Sequence, residues 1–203
     1  AAQGGGTYSA LQYLGTLPYV DTSRIGMIGH SMGGINIQAG ALRACMEHEL
    51  DPSVVVPAAV APTASWLAAG KDGRHVLTDY GVNIALFNAV YDEFYYPDQG
   101  GRVNLTDAAT ATMGFENAAY DTFYRYGDAD ALDRDDAVTA AASGELRALH
   151  VYPMTHPGIH FSKAAETDIV EFFDITLRGG QTTIAPDQQI WRLKHYFSGS
   201  ALL

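Results

Sequence analysis

The chain reads as an α/β domain: a mostly parallel sheet with helices on both faces. Three observations predict it. Four short runs, Ile25–Gly29, Val54–Pro62, Val82–Val90 and Leu146–Tyr152, are apolar without period-two alternation, as in strands covered on both sides. Segments of helical period separate these runs. At 203 residues and 47% hydrophobic content, the chain is long and apolar enough for a substantial core.

The first element, Thr7–Leu17, carries Leu11, Leu14 and Leu17 at helical spacing and closes at Pro18. The strand Ile25–Gly29 leads into a helix over Gly33–Glu49, whose inward positions are Ile35, Ile37, Ala41, Leu42, Cys45 and Met46. Val54–Pro62 has prolines near its ends, and Val82–Val90 is a third strand. The fourth, Leu146–Tyr152, is expected to stop at Pro153, before a last helix over Ser162–Leu177. Residues 93–144 are too long for an ordinary connection and are expected to form an inserted lid or cap. The run Asp128–Asp136 lacks the Gly and Glu of an EF-hand calcium loop, and fits the acid-rich start of a helix over Ala137–Ala142.

Composition narrows the function. A net charge of −11 argues against a nucleic-acid partner. No stretch approaches the ~20 apolar residues of a membrane span. A single cysteine, Cys45, excludes an intramolecular disulfide and a multi-cysteine zinc site. The N-terminal Ala-Ala-Gln-Gly-Gly-Gly has no signal-peptide character and no initiator Met, so an excised piece of a longer chain is expected.

The most informative residues are Gly29-His30-Ser31-Met32-Gly33, a G-x-S-x-G between an apolar strand and an apolar helix. A serine on so tight a turn needs small residues two before and two after it. The Met32 N–H at the helix start would face a developing oxyanion. A phosphate loop would need G-x-G-x-x-G or a GK[ST] ending, and neither is present. A nucleophilic serine needs a base, and the base an orienting carboxylate. Asp92, beyond the strand Val82–Val90, is the expected acid, with Glu93 as its neighbour. The base is expected between the last strand and last helix, where His156 and His160 are the two candidates.

The stretch from Tyr19 to Gly34, with Asp92-Glu93 after a strand and His156 ahead of Phe172-Phe173, resembles the α/β-hydrolase family. Its dienelactone-hydrolase and esterase/lipase branches are the most similar, and the resemblance spans roughly Thr7 to Leu177. It implies Ser31 as nucleophile, Asp92 as acid, His156 as base and the Met32 N–H as one oxyanion donor. It further implies hydrolysis of a small-molecule carboxylic ester through an acyl-enzyme, with thioesters or peptides second, and no metal or organic cofactor. A complete member has several strands before the serine turn, whereas one helix precedes it here. The chain is therefore expected to be the C-terminal part of that fold, without a second oxyanion donor and with Ile25–Ile28 left as an exposed sheet edge. The alternative is a non-catalytic fragment or binding domain, such as the extramembrane part of a membrane protein.

Residues 1–180 would form this partial core and 181–203 a tail. The tail carries Ile190, Trp191, Leu193, Tyr196 and Phe197 beside Arg192 and Lys194. It reads either as a juxtamembrane segment or as a surface helix docked on the body, so the expected location is cytoplasmic or membrane-associated. The aromatics Phe94, Tyr95, Tyr96, Phe115, Tyr120, Phe123, Tyr124 and Tyr126 would line a substrate pocket or fill the cap's own core. Asn104-Leu-Thr106 is a glycosylation sequon, meaningful only in a secreted protein.

Overall fold

The computed structural model describes residues 6–65, 76–94, 121–128, 130–190, 193 and 197. The strands are β1 (Gly26–His30), β2 (Ala59–Thr63), β3 (Asn83–Tyr91), β4 (Phe123–Arg125), β5 (Ala131–Leu132) and β6 (Leu146–Thr155). They form one six-stranded sheet in the order β1-β2-β3-β6-β4-β5. The pairs β1–β2, β2–β3 and β3–β6 are parallel, while β4 runs antiparallel to both β6 and β5. The α/β class and the parallel body thus hold, with an antiparallel corner the sequence did not reveal.

Period-two geometry explains why the apolar runs lack alternation. Met27, Val60, Ile84, Leu86 and Leu149 point to one face, where α1 (Thr7–Gly15) supplies Leu11 and α2 (Met32–His48) supplies Ile37, Ala41, Ala44 and Cys45. Ala59, Ala61, Ala85, Phe87 and Ala148 point to the other, against Ala137 and Ala140 of α3 (Arg134–Ala142) and Phe172 and Ile175 of α4 (Lys163–Arg178). Both faces are covered, so every strand position favours an apolar residue. The second face is built largely of alanines, and the bulk there comes from the helix. A Cβ on Gly26 would lie 2.5 Å from the Phe173 ring.

The helix boundaries follow local chemistry. Asp133 caps α3 by accepting the Asp136 N–H at 2.9 Å, which places the acidic run at a helix start as its composition implied. Ser162 caps α4, which ends at Gly179 with φ 63°. Arg134 joins α3 to α4 through Glu171 at 2.7 Å and Asp174 at 2.9 Å. The α1–α2 crossing is close because position 40 is glycine: a Cβ there would lie 2.2 Å from Thr7 Oγ1, which donates to the Asn36 carbonyl at 2.9 Å.

Three expectations are corrected. Val54–Val56 are not strand, although they pack on the α1/α2-side core. The Gln12 amide takes the place of a neighbouring strand, donating to the Val55 carbonyl at 2.8 Å and accepting its N–H at 2.9 Å. Pro153 does not end β6, which continues to Thr155. It is exposed and falls where the β3–β6 register shifts, so its missing N–H leaves no ladder partner stranded. Finally, residues 123–142, assigned by sequence to the insertion, supply β4, β5 and α3 to the sheet and its cover. Tyr95, Tyr96, Phe115, Tyr120 and the sequon lie outside the described residues, as does most of the segment beyond residue 190. Among the described residues no helix is long and apolar enough to cross a membrane. Among the described residues β1 lies at one edge of the sheet, and Ile28 on it is 52% exposed.

Two buried polar groups carry consequences. Asn83, at the start of β3, donates to the carbonyls of Ala58 and Ala141 at 3.0 Å each and accepts the Leu146 N–H at 2.9 Å. One amide therefore joins the segment before β2, the end of α3 and the start of β6. Cys45 lies in the α2–sheet interface at 3% exposure, and burial pushes its thiol up to about 11. Ellman's reagent at pH 8 is expected to leave the native protein unmodified and to titrate one thiol in guanidinium. Rapid reaction of the native chain would show that α2 lifts from the sheet.

Candidate active site

The residues singled out for chemistry gather at the C-terminal ends of the parallel strands. Ser31 follows β1, Asp92 and Glu93 follow β3, and His156 follows β6. In an open α/β sheet this is the edge where loops diverge and leave room for a ligand.

Ser31 has φ 59° and ψ −125°, strained for a residue with a side chain. Its surroundings impose that conformation. The Ser31 N–H donates to the Thr63 carbonyl at 2.9 Å, and the Ser31 carbonyl accepts the Gly34 N–H at 2.9 Å. A Cβ on Gly29 would lie 2.4 Å from the Gly33 carbonyl, so only glycine fits there. The second small residue is not the one expected. A Cβ on Gly33 meets nothing within 4 Å, whereas one on Gly34 would lie 2.6 Å from the Ser65 Cβ. The tight positions are thus 29 and 34. Met32 opens α2, where an N–H has no acceptor within the helix and adds to the positive potential of the N-terminus.

Asp92 is 1% exposed and uses both carboxylate oxygens. Its Oδ1 accepts the Phe94 N–H at 2.9 Å, and its Oδ2 accepts Nδ1 of His156 at 2.7 Å. A carboxylate accepting at Nδ1 places the ring proton there and leaves Nε2 with its lone pair. His156 is buried too, with Phe94 edge-on to its ring at 4.8 Å. His160 lies in a 3₁₀ turn over Gly158–Phe161, exposed, with its ring centroid 4.0 Å from that of His30. Of the two expected bases, His156 is the one the structure joins to Asp92.

Two neighbours were not assigned these contacts from sequence. Glu93 Oε2 accepts the His156 main-chain N–H at 3.0 Å. His30 Nε2 lies 3.0 Å from the His156 carbonyl, which can only accept, so His30 donates; the two rings are 4.6 Å apart. Burial holds the His30 imidazole below the ordinary histidine range, partly offset by that bond to the carbonyl. From sequence Glu93 is only the neighbour of the expected acid, and His30 only a member of the serine turn. Side chains that bond to main chain leave no motif to read. Ala64, with φ 43°, is a second strained non-glycine residue at this edge, next to the fully buried Ser65. Among the described residues no group of three His, Cys, Asp or Glu is placed to hold a metal ion.

The chain matches no family model, no curated protein and no solved structure.

Proposed function

We propose that this chain is a serine hydrolase of the α/β-hydrolase type that cleaves carboxylic esters, with Ser31, His156 and Asp92 as its triad. The reading rests on the buried 2.7 Å bond between Asp92 and His156, beside a strained serine turn. His30, the chain neighbour of Ser31, has its ring 4.6 Å from that of His156, which supports grouping nucleophile and base. The Ser31 hydroxyl attacks the ester carbonyl carbon and passes its proton to His156 Nε2. Asp92 holds the resulting imidazolium at Nδ1. The Met32 N–H and the α2 dipole stabilise the oxyanion. Collapse of the tetrahedral species expels the alcohol, which takes the proton from His156, and water repeats the cycle on the acyl-enzyme.

A fluorophosphonate probe tests the reading. It is expected to label the folded protein once, at Ser31, and to leave a Ser31→Ala variant unlabelled. A folded wild-type chain that resists labelling would overturn the assignment and favour a non-catalytic binding domain.

A further inference from the structure

We propose that His30 and Glu93 are positioning residues that hold the main chain of His156 on both sides of its Cα, so that the base is fixed by its main chain as well as by its ring. The proposal rests on the hydrolase reading above. Asp92 anchors one atom of the imidazole, Nδ1, at 2.7 Å. A ring held at one atom can still pivot about that contact and carry Nε2 away from the nucleophile. Fixing the N–H before Cα and the carbonyl after it removes the pivot, because together they set where Cα lies and which way Cβ points. The His156 N–H is taken by Glu93 and the His156 carbonyl by His30, each at 3.0 Å.

The origin of the two bonds gives them their consequence. Glu93 directly follows the acid and His30 directly precedes the nucleophile. The loop after β6 is thereby tied to the ends of β3 and β1 through the immediate chain neighbours of two proposed triad members. The donor role requires a proton on His30 Nε2, which the neutral imidazole supplies in one tautomer. Burial favours that neutral form and spares His156 a second positive charge 4.6 Å away when it takes the serine proton. The His160 ring also lies against His30, with centroids 4.0 Å apart.

Kinetics on p-nitrophenyl acetate, with folding of each variant followed by circular dichroism, test the clamp. His30→Leu and Glu93→Ala each remove one bond, and each is expected to lower kcat about 10–100-fold with KM within about twofold, the scale of a misplaced catalytic group. His30→Gln and Glu93→Gln restore an amide donor and an amide acceptor, and are expected to recover kcat to within about fivefold of wild type. Exchange of the His156 amide proton should rise in Glu93→Ala and return to wild-type protection in Glu93→Gln. Full kcat in the Leu and Ala variants of an active enzyme, or glutamine variants as damaged as these, would overturn the clamp alone. A wild type without turnover or labelling would overturn the hydrolase reading and the clamp's role in catalysis together.

Discussion

Replacing His156 by alanine is expected to lower ester turnover by about 10⁴–10⁶-fold, whereas His160→Ala stays within about tenfold of wild type. The ranking follows from geometry. His156 alone of the two is joined to the buried Asp92 carboxylate; His160 sits exposed against His30. Asp92→Asn should lose about 10⁴-fold, for a reason of its own. The amide can present its NH₂ to Nδ1, which reverses the tautomer and puts the ring proton on the nitrogen that must act as base. The measurement is kcat/KM for p-nitrophenyl acetate on folded variants. If His160→Ala proved the more damaging, the base would have to be reassigned.

The second large effect is on stability. Asn83→Ala is expected to destabilise the fold by about 3 kcal/mol, because it leaves the buried Ala141 carbonyl and Leu146 N–H without their partner. The Ala58 carbonyl keeps the Asn83 main-chain N–H and loses less. In a chain of this size that is a fall in Tm of about 6–12 °C. Asn83→Asp is worse in kind: its carboxylate still accepts from Leu146 but faces two carbonyl oxygens with no hydrogen to offer. Urea unfolding of the variants decides it. A loss below about 1 kcal/mol for Asn83→Ala would mean that water or a local shift replaces the amide.

How far the sequence could be read depended on which physics each residue expressed. That Ser31, Asp92 and His156 lie at strand ends on one edge of the sheet was legible because a glycine-flanked turn, strand ends and chain order constrain one another. The parallel body was legible because double-sided burial leaves long apolar runs. Val54–Val56 misled for the same reason, since an apolar run records burial and not its partner; the Gln12 side chain, 43 residues away from Val55, supplied the pairing. The short β4 and β5 were hidden inside a polar segment, where three and two residues carry too little period to detect. Gly34 was missed because the crowding it relieves comes from Ser65, on another strand end. Which residues grip the His156 peptide depends on where the loops come to rest.

Ser31 and Ala64 share a consequence. Both hold positive φ without being glycine, at the ends of adjacent paired strands. Each such residue costs roughly 1 kcal/mol or more relative to a glycine in the same place. The sequence this protein carries is therefore not the most stable sequence for its own backbone. At position 31 the hydroxyl gives a reason for the difference, since glycine there would favour the fold and abolish the proposed chemistry. Selection for thermostability alone would push the chain toward an inert protein at its serine turn.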